Sequence, residues 1–439
     1  MKRLAVSALL FLLAGTILCN AARKPNFILI YTDDQGYNDL GCYGSVLGIE
    51  TPHIDRLATE GMKLNAFYNA SSVCTASRAS ILTGCSHKRI KTNFFSAKAK
   101  QGMHPDEVTI ADHLKANGYA TACIGKWHLG HLKPFLPLAQ GFDYYYGIPF
   151  SNDMNPGDGV PLMKGNEIIE QPVEQKTLTR RYTDEALKFI KECAGKPFFV
   201  YLAHAMPHVP LFYPDDFESD APTQYGRTVE HLDAETGRLM EYIRGDKKLA
   251  TNTFVIFTSD NGPWLSKGKE HSGRPDPCRG GKFTTWDGGS RVPCIMWAPG
   301  KIGEGAVTDE IVSSMDIFPT LASLAQAELG PADTRGPIDG LDISGFLLGR
   351  SKASPRKEIM FYTNQGHLQG FRQGDFKIRI AGGPQLYEIT KDPGEADNLY
   401  KKGDPYVARY NTMLARMQDI ADDWRRNARA CGKIADFPQ

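Results

Sequence analysis

The sequence has almost no net charge, and it contains neither an internal repeat nor a low-complexity tract. Its 51 basic and 50 acidic side chains leave a formal charge of +1. A chain so balanced lacks the overall basic field that attracts nucleic acid, and its net charge does not steer an anionic ligand. No nucleic-acid partner is therefore expected, and an anionic substrate would have to be attracted by a local cluster of cations.

Long apolar runs are also absent, apart from residues 4–18 near the N-terminus. Basic residues precede this run and small residues follow it, an order typical of a signal peptide cleaved before Arg23. The run is short for a membrane-spanning helix, so we expect residues 1–22 to be removed and no stable membrane anchor to remain. The mature protein is then exported, either to a periplasm or as a secreted protein, or to the lysosome in a eukaryote.

Cysteine is sparse but not absent. Of nine cysteines, Cys19 belongs to the predicted signal peptide and eight remain in the mature chain. Export permits disulfides among these eight, but the sequence does not decide their connectivity.

The chain is long enough for a large core, with 439 residues of which 41% are hydrophobic. Apolar runs alternate with helical patterns, which predicts a large doubly wound mixed sheet flanked by helices. We predict strands near 26–32, 120–125, 198–203, 252–258 and 292–297. The intervening helices are predicted near 53–61, 73–84, 107–117, 180–193, 226–244 and 309–327.

A different pattern follows residue 350, where four short strands near 358–362, 371–372, 376–380 and 385–389 precede a helix near 404–428. This order predicts a smaller C-terminal α+β subdomain that carries an antiparallel sheet. The Gly/Pro-rich stretch 329–340 is a candidate linker. The predicted units are the signal peptide 1–22, a catalytic domain 23–345 and a C-terminal subdomain 346–439.

Acidic and amide side chains follow two of the predicted buried strands. Asp33 and Asp34 come directly after the first strand, and Asp260 and Asn261 follow the strand near 252–258. The ends of parallel strands meet at one edge of a sheet, where open α/β folds bind their ligands. Adjacent carboxylates repel each other unless a cation lies between them, and hard oxygen ligands suit Ca²⁺ or Mg²⁺. The sequence therefore predicts a metal site at this edge.

Cationic side chains occur at the same kind of position. Lys126 and His128 follow the strand near 120–125, His204 and His208 follow the strand near 198–203, and Lys282 lies in a glycine-rich loop. Each of these residues alone is more often a surface charge or a core histidine. Their repeated occurrence at strand ends, in one chain with the acidic pairs, predicts an anion-binding site instead.

The most informative motif is Cys74-Thr75-Ala76-Ser77-Arg78, followed by small residues that begin a predicted helix. A free cysteine is often only a small buried hydrophobe. Together with Gly125–Gly130, the lysine loop 280–293 and the acidic pairs, however, this run resembles the signature of type I sulfatases of the alkaline-phosphatase superfamily. The resemblance spans residues from about 25 to 400. Within the family, the sequence is similar in detail to arylsulfatase A-like enzymes. It departs from the family at Ala76, where many members carry proline.

The resemblance implies hydrolysis of sulfate monoesters through a formylglycine diol made from Cys74 by a formylglycine-generating or radical maturation enzyme. It implies Ca²⁺, with Mg²⁺ as a possible substitute, held by Asp33, Asp34, Cys74, Asp260 and Asn261. The implied catalytic set is Cys74, Arg78, Lys126, His128, His208 and Lys282. In this scheme His208 or a lysine protonates the leaving alcohol, and His128 takes a proton from the remaining hydroxyl at position 74.

The substrate implied by the resemblance is a sulfated carbohydrate, with galactose or N-acetylgalactosamine sulfates of polysaccharides or glycosaminoglycans as the leading class. A serine in the family string near 147–153 reaches the sulfate, and the histidine that often follows it is Asn152 here. The candidate substrate contacts are Ser151, Asn152, Asp153, His204, Trp264, His271 and Arg274. Ordinary loop surface remains the alternative for most of them.

Two other functions stay open from sequence. One is a phosphatase or phosphonate-ester hydrolase of the same superfamily, because such a metal site tolerates either anion. The other is an unconverted sulfoglycan-binding pseudoenzyme in which Cys74 remains a thiol. The lysine set without a second metal cluster favours sulfate over phosphate, and the complete catalytic set favours an enzyme.

Overall fold

A computed structural model describes residues 23–154, 157–330 and 333–437. The predicted signal peptide lies outside the described residues. Within the described part of the chain, no helix combines the length and the apolar character that crossing a membrane requires.

Eighteen strands are present in the described residues. In chain order they are β1 Asn26–Thr32, β2 Met62–Leu64, β3 Phe67–Tyr68, β4 Gln101–Gly102, β5 Ala120–Gly125, β6 Tyr144–Gly147, β7 Leu162–Lys164, β8 Glu167–Glu170, β9 Phe198–Ala203, β10 Thr253–Ser259, β11 Cys294–Trp297, β12 Ala306–Thr308, β13 Val312–Ser313, β14 Glu358–Tyr362, β15 Leu368–Gln373, β16 Phe376–Arg379, β17 Gln385–Glu388 and β18 Gly432–Lys433.

Ten α-helices accompany them in the described residues. They are α1 Pro52–Glu60, α2 Cys74–Thr83, α3 Ile110–Ala116, α4 Leu178–Glu192, α5 Gln224–Gly245, α6 Lys247–Ala250, α7 Asp287–Ser290, α8 Ile317–Leu324, α9 Ser344–Leu347 and α10 Tyr406–Arg426.

The central sheet has ten strands in the order β12-β2-β11-β10-β1-β9-β5-β6-β7-β8. Strands β10, β1, β9, β5 and β6 are parallel, and antiparallel pairs on both sides make the sheet mixed. Every residue of β1 is buried, as expected for a central strand covered on both faces. The predicted mixed α/β sheet is confirmed.

Alternate residues of β1 enter two separate cores, because successive side chains of a strand point to opposite faces. Phe27, Leu29 and Tyr31 pack with α2, α3 and α8 on one face. Ile28 and Ile30 pack with α1, α4 and α5 on the other face. The sheet is therefore doubly wound, and the carboxyl ends of β1, β5, β9 and β10 meet at one edge.

The C-terminal part contains the predicted antiparallel sheet, β14–β17, with α10 packed on one face. Its β14 also packs on the main domain through Ile359 and Phe361, which contact Tyr68 and its neighbours. Phe346 and Leu347 of α9 belong to the core of the main sheet. The proposed boundary after residue 345 stays a prediction.

One predicted helix begins later than expected. The segment near 309–327 opens with β13, which pairs in parallel with β3, and only α8 is an α-helix. Ser313 and Asp316 form a capping box just before α8, with the Asp316 carboxylate accepting from the Ser313 backbone N–H at 2.8 Å. Strand pairing satisfies the backbone of residues 312–313 and so replaces the first predicted helical turn. All eight cysteines of the described residues are free thiols.

Candidate active site

The acidic pairs after β1 and β10 lie side by side. The backbone N–H of Asp34 donates to the Asp260 carboxylate at 3.1 Å, and the Asn261 amide donates to the Asp34 carboxylate at 2.7 Å. Asp34 has a φ of 63°, a left-handed conformation that turns the chain sharply at the end of β1. All five side chains of the predicted metal set, these four and Cys74, are buried.

Cys74 is the first residue of α2 and is buried, with its Sγ 3.3 Å from Nδ1 of His128. The other ring nitrogen of His128 donates to the carbonyl of Phe95 at 3.0 Å, so Nδ1 carries the lone pair that faces Cys74. Burial and the nearby Lys126 and Arg78 hold the pKa of His128 well below its usual range. A neutral imidazole is therefore poised to accept a proton from position 74.

Arg78 lies one helical turn after Cys74 and is fully buried. Its Nε and Nη2 donate to one carboxylate oxygen of Asp260 at 3.0 and 2.8 Å, and its Nη1 donates to the carbonyl of Lys126 at 3.0 Å. Its Nη2 also lies 3.6 Å from Asp33. The guanidinium thus connects α2 with the ends of β1, β5 and β10.

Two lysines complete a buried set of cations. Lys126 donates to the Asp33 carboxylate and to Ser151 Oγ, the latter at 3.1 Å, while Lys282 lies 2.7 Å from Asp34. Burial would raise the pKa of the Asp33 carboxyl, but Lys126, His208 and Arg78 outweigh it and lower that pKa. Burial, followed by repulsion from Asp33, raises the pKa of Asp260 to about 7.

His208 lies across the acidic pair, with Nε2 3.6 Å from the Asp34 carboxylate. Its Nδ1 donates to the carbonyl of Val209 at 2.5 Å, which leaves Nε2 facing the site. Burial and the nearby Lys282 hold the pKa of His208 well below its usual range. An incoming anion would counter that lysine and favour the protonated ring.

The residues present fit a hard divalent cation. Asp33 Oδ1 and Asn261 Oδ1 are buried and have no hydrogen-bond partner among the described residues. Ligand atoms of Asp33, Cys74 and Asp260 lie within 4.8 Å of one another, and so do those of Asp33, Asp34 and His208. Oxygen atoms predominate in this set, which suits Ca²⁺ or Mg²⁺. His208 is close enough to be a ligand, which the sequence did not predict.

The predicted substrate contacts fall into two groups. Ser151 and Trp264 join the site: the Trp264 ring lies 5.5 Å from the His208 ring and 4.5 Å from Lys282 Nζ. Asn152 is buried nearby and donates to the carbonyl of Pro210 at 3.0 Å. In the described part of the chain, the other four predicted contacts form no hydrogen bond, ion pair or ring contact with this cluster.

Those four have different surroundings. Asp153 and His271 are exposed, and Arg274 pairs with Asp276 at 3.0 Å. His204 is buried beside the Tyr182 ring, and burial with the nearby His231 lowers its pKa to about 3. It therefore lies in the packed interior behind the strand ends.

Comparisons with known proteins show the family of this chain. The sulfatase family model matches residues 25–327. Human arylsulfatase G is 35% identical over 91% of this chain and 88% of its own length, and human arylsulfatase A is 37% identical over 90% and 86%. Pig N-acetylgalactosamine-6-sulfatase is 37% identical over 84% of this chain and 74% of its own length.

A solved structure gives the same result at the level of the fold. A Bacteroides thetaiotaomicron protein, from a genetic locus for the metabolism of multiple glycosaminoglycans, superposes with a TM-score of 0.80. It is 26% identical, and the match covers 91% of this chain and all of that one. The chain belongs to the sulfatase family. It is a type I sulfatase of the alkaline-phosphatase superfamily and hydrolyses sulfate esters.

Three contacts in this sulfatase were missed at the level of sequence. The carbonyl of Phe95 accepts from His128, the Phe94 ring meets the His128 ring edge-on at 5.6 Å, and Tyr31 lies 5.5 Å from the Arg78 guanidinium. The first is a backbone contact from a loop with no motif, so no sequence signal identifies it. Tyr31 had a signal, because period-two alternation along β1 puts it on the α2 face.

Proposed function

We propose that this sulfatase removes sulfate from sulfated carbohydrates, with galactose or N-acetylgalactosamine sulfates as the leading class, after Cys74 has been converted to formylglycine. The observation that carries the proposal is the contact of Cys74 with the unprotonated Nδ1 of His128 inside a buried cluster of cations. The names of the relatives supply the substrate class, since one is an N-acetylgalactosamine-6-sulfatase.

Two groups outside the encoded side chains belong to this proposal. Hydrated formylglycine supplies the hydroxyl that attacks sulfur, which a thiol does poorly on a sulfate ester. Asp33, Asp34, Asp260, Asn261 and position 74 would hold Ca²⁺, or Mg²⁺ in its place, which would withdraw charge from the sulfate group. Buried oxygens of Asp33 and Asn261 without partners among the described residues support this ligand set.

The chain's own side chains do the remaining work. Lys126 and Lys282 neutralise the sulfate oxygens, and because both side chains are buried, their charges act more strongly than they would in water. Arg78 holds the Asp260 and Asp33 carboxylates in position. His208 donates a proton to the leaving alcohol oxygen through Nε2. His128 accepts a proton from the hydroxyl at position 74 through Nδ1.

The first test concerns conversion. Coexpression with a formylglycine-generating or radical maturation enzyme should make the peptide containing Cys74 lighter by roughly 18 Da, as oxygen replaces sulfur and two hydrogens are lost. The converted protein should hydrolyse 4-nitrophenyl sulfate, and Cys74→Ala should not, although its circular dichroism is unchanged. Full activity in Cys74→Ala would refute the mechanism, and an unconverted, inactive protein that binds sulfated glycans would be a pseudoenzyme.

The second test concerns the metal. Treatment with a chelator should abolish most activity, and Ca²⁺ should restore it better than Zn²⁺, because the proposed set is mainly hard oxygen. Bound metal should also raise the thermal midpoint, by an amount that grows with the logarithm of the ratio of metal concentration to Kd. Rescue by Zn²⁺ alone would contradict the proposed ligand set.

The substrate and the location need their own measurements. A desulfation screen with defined galactose and N-acetylgalactosamine sulfates should show release of sulfate from at least one of them, whereas phosphate and phosphonate esters should react much more slowly. N-terminal sequencing of the exported protein should begin at Arg23. Retention of residues 1–22 would argue against cleavage of a signal peptide.

A further inference from the structure

A large pocket lies beside the catalytic cluster rather than inside it. Its volume is about 950 Å³, and its walls combine apolar side chains, including Leu132, Ile434 and Phe437, with four basic ones. The basic residues are Lys98, Lys100, His131 and Lys133. None of the described residues that line this pocket is acidic.

The lysines of the pocket form no ion pair with any residue that the structure describes. In the described part of the chain, no carboxylate oxygen lies within 4 Å of the ammonium groups of Lys98, Lys100 or Lys133, although other lysines and arginines form twenty-seven ion pairs there. Asp436 is on the turn beside the pocket, but its carboxylate accepts from the backbone of Lys433 at 3.1 Å. Burial lowers the pKa of His131, so at neutral pH the three lysines carry the charge.

Two chain segments connect this pocket directly to the catalytic histidine. The first runs from Phe94 and Phe95, which contact the His128 ring, to Lys98 and Lys100. The second segment continues from His128 to His131. Three residues of fully extended chain span at most about 11 Å, so the Cα atoms of these two histidines are no farther apart than that. The pocket therefore begins within a few sugar rings of the scissile group.

A separate contact links the pocket to Ser151, one of the predicted substrate contacts. The His131 ring meets Phe150 edge-on at 5.9 Å, and the next residue, Ser151, accepts from Lys126. The opposite wall is built by the C-terminal segment, where β18 pairs with β4 and the Ile434 N–H donates to the Lys100 carbonyl at 2.9 Å. This wall is a structured part of the fold.

We propose that this pocket is a second anion subsite, which binds a sulfate or carboxylate on a neighbouring ring of the sugar chain whose sulfate ester occupies the catalytic cluster. The inference rests on the proposed function, because it assumes a carbohydrate substrate. Apolar walls suit the faces of sugar rings, and three unpaired ammonium groups suit an anionic substituent. The occupant is thus a polyanionic oligosaccharide and not a monosaccharide sulfate alone.

The test uses a chondroitin sulfate hexasaccharide as an inhibitor of 4-nitrophenyl sulfate hydrolysis. The triple variant K98Q/K100Q/K133Q should raise the inhibition constant of the hexasaccharide by roughly tenfold, because three exposed charge contacts are lost. It should leave kcat and KM for the aryl sulfate unchanged. Raising the salt concentration should weaken inhibition of the wild type more than that of the variant. The matched control K188Q/K248Q/K352Q makes the same charge change at exposed lysines on other surfaces.

The outcomes separate the two proposals. Equal inhibition of wild type and K98Q/K100Q/K133Q, or no inhibition of the wild type, would overturn the subsite. Carboxyl-reduced chondroitin sulfate, which keeps its sulfate esters, distinguishes the two anions: retained inhibition indicates that the pocket recognises a sulfate, and lost inhibition indicates that it recognises the carboxylate. Failure of the converted enzyme to hydrolyse any sulfate ester would instead refute the proposed function, and direct calorimetric binding of the hexasaccharide would still test the pocket.

Discussion

At the scale of single residues, the proposed chemistry depends on which nitrogen of each histidine is free. His128 donates from Nε2 to Phe95 and therefore faces Cys74 with an unprotonated Nδ1. His208 donates from Nδ1 to Val209 and therefore faces Asp34 with Nε2. A backbone carbonyl thus sets each tautomer, and the two rings approach the reacting group from different sides with different atoms.

Cys74→Ser tests whether the attacking group must be a diol. A serine hydroxyl can attack sulfur once, but it has no second hydroxyl through which His128 could expel sulfate. We expect at most a single turnover and a mass gain of one sulfuryl group on the peptide containing position 74. Repeated turnover by this variant, with no trapped sulfate, would show that the second hydroxyl is not needed.

Pre-steady-state kinetics should show different effects for variants of the two histidines. His128→Ala should still release one alcohol per enzyme as a burst and then stall, because its proposed role comes after alcohol release. His208→Ala should slow the burst itself by roughly 10²- to 10⁴-fold for a sugar sulfate, and less for an aryl sulfate whose oxygen needs little protonation. Equal slowing of the burst in both variants would mean that the roles are shared or reversed.

Most of the candidate active-site cluster could be predicted, because each of its residues directly follows a buried apolar run or belongs to a motif. Lys126 and Asp260 are examples, since the carboxyl ends of parallel strands must converge. The contact of Phe95 could not be predicted, because a loop carbonyl has no side-chain signature. The surroundings of His204 could not be predicted either, since helix packing around Tyr182 and not sequence spacing determines them.

At the scale of elements, the C-terminal sheet supports the loop that carries Lys282. Five residues after that lysine, Asp287 begins α7, and Lys377 of β16 lies 3.2 Å from its carboxylate and 2.9 Å from Glu395. These three side chains are completely buried. Nearby, Trp286 is stacked between the guanidinium groups of Arg279 and Arg379, 3.7 and 3.4 Å from the ring centroid.

Lys377→Met should therefore both destabilise the protein and impair catalysis. Removing the buried cation takes the ammonium partner away from the carboxylates of Asp287 and Glu395, which costs about 3–5 kcal/mol of unfolding free energy. Asp287 keeps the Tyr68 hydroxyl at 2.6 Å and Arg291 at 3.6 Å. We also expect a higher KM for 4-nitrophenyl sulfate, because the loop that positions Lys282 loosens. Urea unfolding and steady-state kinetics measure the two effects.

Arg416→Met is the control for that experiment. Arg416 pairs with Glu358 at 2.9 Å, but its side chain is 51% exposed, so its loss should cost about 0–1 kcal/mol. A Lys377→Met variant that is no less stable than Arg416→Met would contradict a supporting role for the C-terminal sheet.

Strands that are buried on both faces could be predicted, because their sequences are continuous apolar runs. Strands β1, β5, β9 and β10 are continuous apolar runs and were predicted to within one residue. The edge pair β7–β8 was not predicted, because those strands are short and β8 is mostly exposed, with Ile168 and Ile169 about half exposed. Pairing with neighbours, and not an intrinsic pattern, forms such strands.

At the scale of the whole molecule, near-neutral net charge coexists with strong local fields. In the catalytic cluster, the cations Arg78, Lys126 and Lys282 face carboxylates, whereas the lysines of the neighbouring pocket face none in the described residues. Summing the charges of the chain hides this difference. Ionisable groups buried away from this cluster affect the stability of the fold. The carboxyl group of Asp233 in α5 is one of them.

Asp233 predicts how stability should change with pH. Its buried carboxylate accepts from the backbone N–H groups of His53 and Ile54 at the start of α1, at 3.2 and 2.7 Å. Burial, only partly offset by these bonds, raises its pKa to about 7. The folded protein holds the proton of this carboxyl more tightly than the unfolded chain does. The contribution of Asp233 to the unfolding free energy is therefore full below about pH 4 and is lost as the pH rises to 7.

Asp233→Asn should remove this dependence, because an amide does not titrate. Between pH 5 and pH 8 the unfolding free energy of the wild type should fall relative to that of the variant by about 2–3 kcal/mol, from the pKa difference across that window. Urea unfolding at both pH values measures the change, and Asp419→Asn on the exposed side of α10 is the control. Parallel pH profiles of wild type and Asp233→Asn would show that the carboxylate stays ionised in the folded state, with the helix N-terminus outweighing burial.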